Sequence, residues 1–76
     1  VEQYDVYGCD ERHEIHKAYF QNLESAFECC LELNEGINNI NEPEFLLSEI
    51  EHKFYSHKEI EFDVGYLTIK QCLFED

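Results

Sequence analysis

Positive charge is scarce in this sequence: five Lys and Arg stand against eighteen Asp and Glu, leaving a formal charge of −13 over 76 residues. That shortage argues against direct contact with nucleic acid or an anionic membrane, both of which are gripped by basic side chains. Proline occurs once and glycine three times, so there is neither a flexible linker nor a glycine-rich phosphate loop. No apolar run approaches the ~18 residues that a membrane-crossing helix needs. No charged n-region followed by an apolar h-region opens the chain, so no secretory signal is expected. Internal repeats, a nucleophile elbow and a metalloprotease motif are all missing.

What remains is the composition of a folded protein. Hydrophobic residues make up 43%, and six Phe and five Tyr supply large burial per residue. Disorder is thereby excluded despite the charge. A length of 76 residues corresponds to a single domain, residues 1–76, whose core is small because such a chain buries only about 60% of its unfolded surface. Four cysteines (Cys9, Cys29, Cys30, Cys72) include an adjacent pair that makes an ordinary disulfide framework awkward. Reduced thiols, and therefore a cytoplasmic protein, are the expectation.

Periodicity assigns the elements. Tyr4 and Val6 share one face of a strand over residues 3–8. Gly8 to Arg12 reads as a hairpin connection, and a second strand over residues 13–20 carries Ile15 and Tyr19 on one side and Ala18 and Phe20 on the other. Asn22 is an N-cap for a helix over 22–35 whose stripe is Leu23, Ala26, Phe27, Cys30 and Leu31, with Gly36 suited to its end. Asn41 and Glu44 resemble a capping box, with Pro43 in the first turn of a helix over 42–55 that turns Leu46, Leu47, Ile50 and Phe54 inward. Ile60, Phe62 and Val64 alternate with Glu59, Glu61 and Asp63. Beyond Gly65 the apolar phase moves to Leu67, Ile69 and Leu73, the mark of a bulge or a tight hairpin. The fold class is therefore α+β: a small antiparallel sheet in the order β-β-α-α-β, with a fourth strand if Gly65 is a hairpin, and two helices packed on one face.

The chemistry lies in the acids. Glu24, Glu28 and Glu32 stand four residues apart opposite the apolar stripe, with Glu35 close by and neither Lys nor Arg from Gln21 to Glu35. Each such pair costs an isolated helix about 0.2–0.5 kcal/mol, and Glu32 and Glu35 also oppose the negative end of the macrodipole. Local rules broken without local gain mark candidate functional sites. Glu59, Glu61 and Asp63 repeat the theme at about 6.8 Å spacing along a strand, where they equally serve to protect a sheet edge. The helical glutamates rise about 6 Å per step, roughly one carboxylate for every second phosphate of a DNA strand at ~3.4 Å each.

Cys9, His13 and His16 fall within eight residues, but their spacing matches no strong zinc pattern, and on a strand the two histidines would face opposite ways. No metal and no cofactor is expected. With eighteen acids, carboxylate pairs arise by chance, and a chain this short rarely encloses a substrate pocket, so no enzymatic activity is expected. The functional expectation is an inhibitor that mimics nucleic acid and binds a basic protein or nucleoprotein complex, such as a phage anti-defence or host-takeover protein or a nuclease immunity protein. The rival is a structural module, a homodimer or assembly subunit, that binds through exposed aromatics and is acidic only for solubility. A third class is a metal- or redox-responsive regulator built on Cys9, His13 and Cys29.

Overall fold

The computed structural model describes residues 2–34 and 40–73. Two strands, β1 (Glu2–Cys9) and β2 (Ile15–Phe20), precede two helices, α1 (Leu23–Leu33) and α2 (Pro43–Ser56), and two further strands, β3 (Glu61–Val64) and β4 (Leu67–Leu73), follow. The strands form one antiparallel sheet in the order β2-β1-β4-β3. The expected α+β class is therefore present, and Gly65 makes the tight hairpin that supplies the fourth strand. No helix among the described residues is long and apolar enough to cross a membrane.

Alternation in the strands creates two unlike sheet faces. Tyr4, Val6, Val64, Leu67 and Ile69 point to one side and are buried beneath the helices with Leu23, Ala26, Phe27, Cys30, Ile40, Ile50 and Phe54. Leu31, Leu46 and Leu47 are half-buried against this cluster. The other face, with Asp5, Tyr7, Lys17, Tyr19, Glu61, Asp63, Thr68 and Lys70, has no covering layer among the described residues. Tyr4 links the layers by its ring, 5.9 Å from that of Phe54, and by its hydroxyl, 2.7 Å from that of Tyr55.

Local chemistry sets the helix ends. The Asn22 side chain accepts from the Ser25 N–H at 2.8 Å, as its N-cap role requires. The expected stop at Gly36 lies outside the described residues; within them α1 ends at Asn34, whose own N–H bonds the Cys30 carbonyl. At α2 the expected Asn41–Glu44 capping box is replaced by Glu42, in the left-handed conformation (φ 52°) and without a side-chain cap. Pro43 explains the shifted start: it occupies the first helical position, where its missing N–H costs nothing, and this puts the cap position at Glu42. Strand β2 starts at Ile15 rather than His13, because His13 is part of the turn with φ 64°.

Two glycines allow close approach. Gly65 has φ 64°, and a Cβ there would sit 2.5 Å from Asn34 Oδ1. Gly8 has φ 130°, and a Cβ there would sit 2.8 Å from the Tyr66 carbonyl oxygen. Together they let the β3–β4 turn nest between α1 and β1.

Two stability outcomes follow. Phe27→Ala removes the largest side chain that α1 contributes to the core and should cost about 3–5 kcal/mol, close to the whole stability of a small domain, so its thermal melt should be drastically lowered or lost. Gly65→Ala should cost at least about 1–2 kcal/mol through its left-handed backbone, with an added penalty for displacing Asn34, read as a lower denaturant midpoint at unchanged slope.

Candidate partner-binding surfaces

The helical layer is where negative charge goes uncompensated. Glu24, Glu28 and Glu32 are exposed on successive turns of α1, opposite its buried stripe. None of them forms an ion pair with the bases among the described residues. Glu35 lies outside the described residues. Four of the five bases are placed elsewhere: Arg12 in the β1–β2 turn, Lys17 and Lys70 on the open sheet face, and Lys58 just beyond α2. Lys53 alone belongs to a helix, and its ammonium lies 4.9 Å from the centre of the Phe62 ring.

Packing adds acids that the sequence reading missed. Where α1 and α2 diverge, a depression of about 170 Å³ is walled by Glu24 and Glu28 on one side and Pro43 and Glu44 on the other, over Phe27, Leu31 and Leu47. A second depression of about 490 Å³ continues along Glu24 and Glu28 towards Glu51 and Tyr55. Glu44, Leu47 and Glu51 are spaced i, i+3 and i+7 and so share one face of α2. The signal was in the sequence, but only the tertiary pairing shows which helix it faces.

The strand acids are arranged differently. Glu61 and Asp63 are exposed on the open sheet face, the side away from the helices, because Phe62 and Val64 point to the core. Glu59 precedes β3 in the connecting loop, its N–H bonded to the Lys53 carbonyl at 3.1 Å, so the expected row of three on one strand reduces to two. Both remaining acids have local partners. The Tyr7 hydroxyl donates to Glu61 at 2.8 Å, and Thr68 Oγ1 donates to Asp63 at 2.8 Å. The Glu61 hydrogen bond, with partial burial and the charges of Glu61, Asp63 and Asp5, pushes the Tyr7 phenol up to about 12. The helical and strand acids therefore occupy opposite layers and do not form one surface.

The β1–β2 turn holds the most constrained carboxylate. The Asp10 side chain is 1% exposed. Its Oδ1 accepts the N–H groups of Arg12 (2.9 Å) and Glu14 (3.1 Å), and its Oδ2 lies 2.8 Å from His16 Nε2. The His16 hydrogen bond leads the effects that hold the Asp10 carboxyl below its ordinary value, opposed by burial and reinforced by the two backbone donors. Asp10, Glu14 and His16 are the gathered set of ligand-type side chains among the described residues. The set is not Cys9, His13 and His16, since Cys9 and His13 are both exposed and stand apart from it. With Oδ1 bonded to the turn backbone and Oδ2 to His16 of β2, this arrangement ties the turn to the strand that follows it. Neither of the adjacent thiols is activated: burial pushes Cys30 up to about 12 and raises Cys29 as well.

Comparison with protein-family models, with curated proteins and with solved structures returned no match to this chain.

Asp10 gives the turn a defined pH dependence. Its folded value lies below the ordinary 3.8, so its stabilisation is fully present above that value and is lost as pH falls through the folded one. Melting temperatures of the wild type and Asp10→Asn, compared from neutral pH downward, should show a gap that is constant above about pH 5 and closes in acid below about pH 4.

Proposed function

We propose that this chain is a small acidic binding protein that blocks a basic, nucleic-acid-binding protein by presenting carboxylates where that protein would hold phosphates. The segregation of charge carries this reading: the outer surface of the helices bears Glu24, Glu28, Glu32, Glu44 and Glu51, while four of the five bases lie off the helices. Such a surface attracts a cationic groove and lets both sides release the counterions they hold. Among the acids singled out from the sequence, the helical row takes the leading part, since Glu61 and Asp63 already hold local hydroxyl partners. The setting we propose is the cytoplasm, in the role of a phage anti-defence or host-takeover inhibitor or a nuclease immunity protein. Catalysis has no part in the proposal.

A second reading draws on the exposed aromatics. Phe45 is 68% exposed, Tyr19 58%, Tyr66 53% and Tyr55 52%. They support a structural module in which acidity serves solubility. They are spread over β2, α2 and the β3–β4 turn, however, and so do not make one patch.

Charge reversal and competition separate the two. Glu28→Lys with Glu32→Lys should leave folding intact or slightly improved, because it places opposite charges beside Glu24. The same variant should weaken binding to a basic protein captured from lysate, by about 2–5 kcal/mol per fully desolvated charge and far less per rim charge. Duplex DNA and high salt should both displace that protein from the wild type. Capture that is indifferent to salt, DNA and the reversal would instead establish the aromatic module.

A further inference from the structure

The two edges of the sheet are unlike. In the order β2-β1-β4-β3, each of β2 and β3 has a neighbour on one side and, among the described residues, no strand on the other. Such an edge offers unpaired N–H and C=O groups to any strand that can lie beside it, and proteins blunt it with short strands and charge. β3 has both protections, since it spans only Glu61–Val64 and carries Glu61 and Asp63. β2 is longer, Ile15–Phe20, and lies in an acid-free stretch that extends to Leu23. Ile15 is 84% exposed and Tyr19 58%, both on the uncovered face of the sheet. Lys17 is the one Lys or Arg on this strand.

A molecule with a formal charge of −13 repels its own copy over most of its surface, so copies can meet only where acids are missing. A basic partner has the opposite preference and gains nothing from β2. The strand is also complementary to itself. A two-fold axis normal to the sheet sets β2 antiparallel to β2 of a second copy, each residue facing one from the same side of the sheet. The registers that keep most of Ile15–Phe20 paired are centred on Lys17 or on Ala18. The first sets Lys17 against Lys17, which is destabilising. The second sets Ala18 against Ala18, His16 against Phe20, and Lys17 against Tyr19 on both sides of the axis. Within one chain Lys17 Nζ already lies 5.6 Å from the centre of the Tyr19 ring. The same cation–π contact recurs across the seam, where facing Cβ atoms are about 4.5–5.5 Å apart. The nearest acid, Glu14, falls opposite Asn22.

We infer that β2 is a dimer edge: two copies join β2 to β2, centred on Ala18, and their sheets become one. Because the axis is normal to the sheet, both helical layers lie on the same side. The Glu24, Glu28 and Glu32 rows of the two copies then face the same way. The pairing itself rests on the strand edge alone. Its consequence for the inhibitor reading is that the dimer doubles the acidic surface offered to a basic groove.

Sedimentation equilibrium of the chain alone, over a concentration series at physiological salt, should show a dimer in exchange with monomer. Tyr19→Lys sets lysine against lysine on each side of the axis and should weaken the dimer by about tenfold or more. Tyr19→Glu should leave it at least as tight as wild type, since the new carboxylate faces Lys17 of the other copy. General repulsion between acidic chains ranks these variants the other way, because the first lowers the net charge and the second raises it. Tyr19 is exposed on the uncovered face, so neither change threatens the core, and melting curves check that both fold. Glu61→Gln, on the other edge, should leave the dimer unchanged. The β2 seam is overturned by a wild type that stays monomeric throughout, or by a dimer indifferent to Tyr19→Lys. Equal loss in both Tyr19 variants, or loss in Glu61→Gln, overturns it as well. None of these results touches the binding of a basic partner by the helical acids, which charge reversal on α1 reads separately.

Discussion

The buried amide of Asn34 is the interaction on which the two-layer arrangement depends. Its Nδ2 donates to the Cys30 carbonyl at 2.8 Å and to the Val64 carbonyl at 3.1 Å, and its Oδ1 accepts the Tyr66 N–H at 3.2 Å. One side chain thus ends α1, clasps the β3–β4 turn and satisfies backbone groups from two elements far apart in sequence. Burying an amide is costly unless it is hydrogen-bonded, and its partners here fix a single orientation. Gly65 leaves the space this clasp occupies. The clasp fixes the C-terminal end of α1, while the buried stripe along the helix turns Glu24, Glu28 and Glu32 outward.

Periodic elements were legible in the sequence because burial imposes their period. The stripe Leu23, Ala26, Phe27 and Cys30 is buried in the structure, and so are Ile50 and Phe54 of α2. The phase change at Gly65 allowed a bulge or a tight hairpin, and the structure has the hairpin. What escaped was chemistry that joins distant or irregular positions. Asn34 reads as an ordinary loop residue until Val64 and Tyr66 are brought beside it. Asp10 reads as one acid among eighteen, although its position in a short turn, just after a strand, was a local clue to a side chain that caps its own backbone. The α2 cap differs from the Asn41 to Glu44 pattern because Pro43 takes the first helical position and so moves the cap to Glu42. For the acidic surface, α1 was legible from its own spacing. The groove was not, because a groove belongs to a pair of helices.

Self-repulsion bears differently on the two layers. On the open sheet face, acids alternate with bases and hydroxyls: Glu61 pairs in register with Lys70, and Asp63 with Thr68. That face is close to neutral, and two of its three acids are hydrogen-bonded to hydroxyls, while Asp5 Oδ1 is buried without a hydrogen-bond partner. On the helices like charges face one another across a shallow gap, with Glu24 and Glu28 opposite Glu44 and Glu51. The fold thus gathers its closest-facing like charges on the helical surface.

The sheet order has a bearing on how this chain reaches its fold. Two of its three ladders, β1–β2 and β3–β4, are hairpins whose turns are short, the first organised by Asp10 and the second by Gly65. The third, β1 with β4, joins strands from the two ends of the described chain and runs from Glu2↔Leu73 to Gly8↔Leu67 through the middle of the sheet. The two local ladders close short loops, whereas this central seam closes a loop that contains both helices. That seam therefore carries the larger loop-closure cost, and the hydrophobic stripe of α1, which packs on β1, β2 and β4 alike, helps offset it by holding both hairpins in one sheet.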